Sequence, residues 1–202
     1  VFLTLAIALA WPSLPALHAM TDYRPSVPLR IYTADRVLIG EFGEEHRNVL
    51  RFQDIPLVMK QAILAAEDDS FYEHGGIDWM GMLRAGLANI VSMSKSQGAS
   101  TITMQVARNF YLSSEKTYSR KFYELLLTFK IESELTKDQI LELYMNQIYL
   151  GHRSYGFAAA SRRYFGKPVS QVTAAEAAML AGIPKAPSRF NPIANRPRAE
   201  LR

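Results

Sequence analysis

Apolar residues in this chain recur mostly at helical spacing, punctuated by polar clusters. Between Ile55 and Ala66, the residues Leu57, Val58, Ala62, Ile63, Ala65 and Ala66 fall at helical intervals. Asp54 is placed to cap this segment, with Pro56 in the first turn, where its missing N–H costs nothing. The helix runs into Glu67-Asp68-Asp69-Ser70-Phe71-Tyr72-Glu73-His74-Gly75-Gly76, and the two glycines stop regular structure. Asp78 then caps a segment reaching about Lys95, with Trp79, Met80, Met82, Leu83, Leu87, Ile90, Val91 and Met93. Arg84 is the only charge in it before Lys95. This composition suits a core helix or a face that dips into a membrane.

The same reading continues down the chain. Ser100 caps a helix to about Leu112, on which Thr101, Gln105 and Arg108 share one face at i, i+4 and i+7. Ser113 and Ser114 open a helix from about Glu115 to Leu135, where Arg120 and Lys121 stand one turn from Glu124. Read blandly, these make an exposed i, i+4 ion pair, although Leu125, Leu126 and Leu127 follow directly. Thr136 with Gln139, and Thr173 with Glu176, are capping boxes for two further helices. Another helix, about Gly156 to Phe165, ends at Gly166. Near the N-terminus, Leu29–Thr33 and Val37–Phe42 flank Ala34-Asp35-Arg36 as a short β-hairpin. The predicted fold class is mainly α.

Val1 to Leu17 is almost unbroken apolar sequence, and a membrane span needs about 20 such residues. Residues 1–20 are therefore expected to be the remnant of a transmembrane anchor, the rival being a signal-peptide core, against which no convincing small-x-small cleavage site follows Leu17. A proline-punctuated connector with Pro25 and Pro28, together with the hairpin, fills residues 21–53. Lysine and arginine exceed acidic residues by 23 − 19 = 4, a modest surplus that favours anionic partners without selecting one. The absence of cysteine excludes disulfides and thiolate metal sites. Four scattered histidines, at 18, 46, 74 and 152, give no zinc pattern.

Two stretches carry candidate chemistry. Glu67 closes a helix: it reads either as part of a solvated helix-end acid cluster or as a carboxylate whose charged form the negative helix end and partial burial disfavour, as a base or acid working near neutral pH requires. Gly98 permits close backbone approach, and the hydroxyl-lined helix start after it, backed by Arg108, suits a phosphate, although Gly-x-Ser-Thr before a helix is by itself more often just a cap.

Five ordered motifs then stand out: Glu67-Asp68-x-x-Phe71-x-x-His74-x-Gly76; Gly98-x-Ser100-Thr101-Ile102-Thr103-x-Gln105; Arg120-Lys121-x-x-Glu124; Lys137-Asp138-x-Ile140-Leu141-Glu142-x-Tyr144-x-Asn146; and Leu180-Ala181-Gly182-x-Pro184-x-Ala186-Pro187-x-x-Asn191-Pro192. Together they resemble the signature of family 51 glycosyltransferases, the peptidoglycan polymerase domain of class A, bifunctional penicillin-binding proteins, over roughly residues 29–195. Ala99, Met104 and Arg108 depart from the usual glycine, glutamine and lysine. Met104 gives up one polar contact.

The resemblance implies a lysozyme-like helical large lobe with a small, mobile, membrane-facing jaw of about residues 80–118, both within a glycosyltransferase domain at 54–195. Residues 196–202 would begin a linker to a covalent C-terminal transpeptidase domain. The implied reaction joins a growing glycan on polyprenyl diphosphate to lipid II, with inversion to a β-1,4 bond. Glu67 and Glu124 are the implied catalytic residues. Ser100, Thr101, Thr103, Gln105, Arg108, Asn109, Arg120 and Lys121 would bind substrate. Asp68, Phe71, His74, Gly98, Lys137, Glu142 and Asn146 would support them. Mg²⁺ or Mn²⁺ would accompany the diphosphate, with Glu124 as a metal ligand. Moenomycin-type inhibitors would bind, nucleic acid would not, and the domain would face outward from the cytoplasmic (inner) membrane on a single N-terminal anchor. A lytic hydrolase of the same fold would need a second carboxylate in place of the cationic set. A non-catalytic scaffold binding lipid-linked precursor would not need both Glu67 and Glu124.

Overall fold

The computed structural model describes residues 10–17, 29–42, 46–47, 49–91, 100–111 and 118–201. The fold is mainly α, as expected. Its helices are α1 (Leu57–Glu67), α2 (Trp79–Val91), α3 (Ile102–Tyr111), α4 (Tyr118–Glu134), α5 (Lys137–Gln147), α6 (Phe157–Phe165), α7 (Ala174–Gly182) and the short α8 (Arg196–Glu200). The predicted hairpin is present: β1 (Leu29–Tyr32) pairs antiparallel with β2 (Leu38–Phe42), with a register shift after Ile31. Arg36, at φ 63°, makes the turn, and Thr33 accepts its N–H. Two-residue strands β3 (His46–Arg47) and β4 (Ser154–Tyr155) pair in parallel.

The chain divides into two compact units, with divisions after Asp22, within α1 before Glu67 and within α5 after Tyr144. One unit comprises Val1–Asp22 and Glu67–Tyr144, which includes the whole segment expected as a jaw. In it, α3 and α4 pack together around fully buried Phe71, Ile102, Met104, Leu127, Ile131 and Ile140. Met104, at the position where a glutamine is usual, is thus a core residue. The other unit comprises Tyr23–Ala66 and Met145–Arg202. Here Ile63, Phe157, Ala160 and Leu180 are buried, and α7 packs on α6 and α8.

Local signals fixed several helix ends. Thr136 accepts the Gln139 N–H while the Gln139 side chain accepts the Thr136 N–H. Thr173 and Glu176 form the same reciprocal box. Asp78 Oδ1 accepts the Gly81 N–H at 2.8 Å, capping α2, and Gly166 closes α6 in the left-handed conformation. Two expected caps are corrected. Asp54 ends a 3₁₀ turn and pairs with Arg51 at 2.7 Å, while the first α1 bonds run to the Pro56 carbonyl. Thr101, not Ser100, caps α3 by accepting the Met104 N–H. The predicted start of α4 at Ser113–Glu115 lies outside the described residues.

Most of the expected anchor, residues 1–9 and 18–20, also lies outside them. The described part holds a 3₁₀ turn at Trp11–Ser13, and Lys130 donates to the Pro15 carbonyl at 3.1 Å. Among the described residues no helix is long and apolar enough to cross a membrane.

Candidate active site

The chain leaves α1 at the half-buried Glu67, and the next residue decides where it goes. Asp68 is only 7% exposed, and each of its oxygens has a partner. Oδ2 accepts the Ile102 N–H at 2.9 Å, satisfying a first-turn donor of α3 that no residue within that helix can reach. Oδ1 lies 2.9 Å from His74 Nε2. The Gly76 N–H donates to His74 Nδ1 at 3.1 Å, so Nδ1 is unprotonated and Nε2 carries the hydrogen that goes to Asp68. The histidine is therefore held in one tautomer as a brace. Phe71, fully buried, meets the His74 ring edge-on.

Gly76 lets this loop lie against its neighbours. Its φ is +91°, and an added Cβ would come 2.7 Å from Thr128 Cγ2 and 2.8 Å from Glu132 Cγ, both on α4. Its carbonyl accepts the Thr101 hydroxyl at 2.6 Å. The N-terminus of α3 is thus pinned by both Asp68 and Gly76. Gln105, on the first turn of α3, returns to the end of α1: its Nε2 donates to Glu67 Oε2 at 2.8 Å. Tyr144 of α5 completes this group. Burial first, and then the negative charge of Glu67, push its hydroxyl well above the usual tyrosine range, while Arg108 opposes the shift. Arg108 is half-buried and Asn109 exposed on α3.

A second cluster lies on α4. Glu124 has no exposed surface; its Oε2 lies 3.3 Å from Arg120 Nη1 and its Oε1 2.5 Å from Lys121 Nζ. The bland reading of an exposed helix pair is therefore overturned: the carboxylate is sealed beneath its two cations. A third cluster centres on Glu132, whose Oε1 accepts from Thr103 at 2.5 Å and from Lys137 at 2.8 Å. Lys137 also sits over the Phe71 ring, 4.5 Å from its centre. Glu132 was missed in the sequence, although Glu124, Thr128 and Glu132 form an i, i+4, i+8 polar stripe.

Not every motif residue joins these clusters. Asn146 clasps Leu50 through two 2.8 Å bonds, to its N–H and its carbonyl, and so holds the chain before α1. Ser100 is half-buried just before the Thr101 cap, and Glu142 is half-buried on α5. Gly98 lies outside the described residues. Among the described residues no group of three or more His, Asp or Glu side chains could hold a metal ion. Both oxygens of Glu124 are engaged by cations, so this donor set does not fit a directly ligated divalent ion.

Residues 35–202 match a family described as transglycosylase. The chain belongs to that family. Among its relatives, penicillin-binding protein 1A of Neisseria gonorrhoeae is 57% identical over 198 residues, covering 98% of this chain and 25% of that protein. Penicillin-binding protein 1A of Pseudomonas aeruginosa is 49% identical over 191 residues, 95% of this chain and 23% of its own. The chain thus spans about a quarter of the length of the curated relatives it matches. A solved structure of penicillin-binding protein 1A from Haemophilus influenzae is 30% identical, covers 88% of this chain and 17% of its own, and superposes with a TM-score of 0.44.

Proposed function

We propose that this transglycosylase domain polymerises peptidoglycan. The observation that carries the reading is the Glu67 carboxylate, half-buried at a helix end and held by Gln105. A hydroxyl nucleophile needs a base, and Glu67 fills that role. The 4-hydroxyl of lipid II loses its proton to Glu67 as its oxygen bonds to the donor's anomeric carbon. The bond from that carbon to the polyprenyl diphosphate breaks, the diphosphate keeps the electron pair, and the configuration inverts to a β-1,4 link. Such a leaving group needs positive charge more than a proton, and Arg108, Arg120 and Lys121 supply it. Glu124 orients Arg120 and Lys121 from beneath. A divalent ion, Mg²⁺ or Mn²⁺, would arrive with the diphosphate, and no step here depends on it.

In the whole protein the domain would sit on the outer face of the cytoplasmic membrane. Its N-terminal anchor and the apolar face of α2 would hold it there, with a transpeptidase domain following. The hydrolytic alternative gains nothing from Glu124, whose charge is already taken up by Arg120 and Lys121. Product analysis with labelled lipid II decides: linear polymer supports the reading, whereas cleavage of existing glycan, or no turnover, removes it.

A further inference from the structure

We propose that Glu132, which lies outside the five motifs, is a positioning residue: it fixes the rotation of α3 about its own axis and so aims Arg108 at the diphosphate. The inference rests on Arg108 meeting the diphosphate, as proposed above. The Glu132 side chain stands where four segments meet. It projects from α4, and an added Cβ at Gly76 would come within 2.8 Å of its Cγ, so it lies against the loop that follows α1. Its Oε1 accepts the Thr103 hydroxyl of α3 at 2.5 Å and Lys137 Nζ, at the start of α5, at 2.8 Å. Lys137 is steadied in turn over the Phe71 ring, 4.5 Å from its centre. Thr103 is fully buried, so its hydroxyl serves Glu132 rather than a substrate.

Three successive residues at the start of α3 are thus tied. The Thr101 hydroxyl goes to the Gly76 carbonyl at 2.6 Å, the Ile102 N–H to Asp68 at 2.9 Å and the Thr103 hydroxyl to Glu132. The first two ties run to one loop, residues 68–76, and on their own would let α3 pivot about it. The third runs to another helix and stops the pivot. Arg108 lies five residues beyond Thr103, about 7.5 Å along the axis. A rotation of about 20° would carry a side-chain end about 6 Å from the axis by about 2 Å, enough to lose a charge-assisted contact.

The test titrates the full-length protein with a moenomycin-type phosphoglycolipid and follows lipid II polymerisation in parallel. Thr103→Val keeps the shape and removes the donor, Thr103→Ser keeps the donor, and Glu132→Met removes the acceptor. Arg108→Ala is measured alone and together with Thr103→Val. Thr103→Val and Glu132→Met should each weaken phosphoglycolipid binding about tenfold, and Thr103→Ser should bind as the parent does. Arg108→Ala should bind about ten- to a hundredfold more weakly, and adding Thr103→Val to it should cost nothing more, because the side chain being aimed is gone. If one of Thr103→Val and Glu132→Met fails to fold, the other carries the test. Parent-like affinity in either folded variant overturns the proposal. So does a loss in Thr103→Val that simply adds to that of Arg108→Ala, which would mean a direct contact or a general loosening. Unfolding of both Thr103→Val and Glu132→Met overturns it too, by making the cluster a support of the core alone. Unchanged affinity in Arg108→Ala would remove its diphosphate role and the proposal with it. A parent that binds the phosphoglycolipid yet makes no polymer would instead remove the polymerase reading, a separate failure that the affinity measurements do not share.

Discussion

Lys121 reaches Glu124 Oε1 at 2.5 Å from a side chain that is 42% exposed, while Glu124 itself is wholly buried. The pair is thus lopsided: one partner can turn to water and the other cannot. Arg120, 16% exposed, shares the same carboxylate. Glu124→Gln keeps the shape but removes the buried charge that Arg120 and Lys121 both face. Breaking such a pair costs about 3 kcal/mol. Chemical denaturation should show that loss, whereas Lys121→Met, whose partner keeps Arg120, should lose less. Equal losses would mean that Lys121, rather than Arg120, carries the pair.

A second expectation concerns Arg120 as a diphosphate ligand. Arg120→Ala should weaken binding of a moenomycin-type phosphoglycolipid by about ten- to a hundredfold, the worth of a charge-assisted contact of about 1.5–3 kcal/mol. Calorimetry reads it directly. Unchanged affinity would confine Arg120 to its ion pair with Glu124.

Two adjacent glycines give a matched comparison. At Gly76 a side chain meets Thr128 and Glu132 below 3 Å and a φ of +91°, whereas at Gly75 nothing lies within 4 Å of an added Cβ. Gly76→Ala should therefore destabilise the protein by about 2–4 kcal/mol, combining left-handed backbone strain with overpacking. Gly75→Ala should be close to neutral. The difference between their melting curves is the measurement, and similar curves would mean that α4 gives way.

Local chemistry was legible in the sequence, and long-range chemistry was not. The boxes at Thr136 and Thr173 and the Asp78 cap each need only residues a few positions apart. Ser100 was the expected cap of α3, and the role fell to Thr101, whose hydroxyl also reaches Gly76, 25 residues away. Asp54 was a sound cap by position, but Arg51 claimed its carboxylate. Glu124 appeared exposed because i, i+4 spacing says nothing about what covers a helix. The packing of α3 on α4 turns that stripe inward. Asp68 and His74 were readable as motif residues, but their task of bracing α3 requires knowing that residue 102 lies beside residue 68.

Acid should weaken the second unit at a defined place. Lys167, bonded to Glu176 at 2.7 Å, and then the Thr173 N–H hold the Glu176 carboxyl down at about 2, from an ordinary 4.5. A carboxyl whose folded value is depressed stabilises the fold above its unfolded value and loses that contribution as pH falls through the folded one. The contribution of Glu176 should thus be complete above about pH 4.5 and vanish towards pH 2. Glu176→Gln should flatten that part of the stability-against-pH curve. A variant curve parallel to wild type from pH 5 to 2 would show that the cap does not depend on charge.

The outer face of α2 gives the last expectation. Trp79, Met80, Leu83, Leu87 and Ile90 recur at helical spacing and are all exposed, Met80 and Ile90 by about three-quarters (76% and 74%), whereas Ala85 is buried. The core reading of this segment is therefore set aside, and the face should bind a bilayer independently of the N-terminal segment. Residues 1–9 can be deleted for the test, but 10–17 should stay, because Ala10, Leu14 and Leu17 are buried and Pro15 accepts from Lys130. Met82 is half-buried, so the informative pair is Trp79→Ser with Met80→Ser. Each large side chain contributes about 1.5–3 kcal/mol on entering an apolar phase, so losing both should weaken liposome binding by a hundredfold or more. Because neither side chain is buried in the protein, helical circular dichroism and the melting temperature should hold. A folded double variant that sediments with liposomes as strongly as its parent would remove α2 from the membrane. Loss of the melt would show that α2 is covered by protein instead.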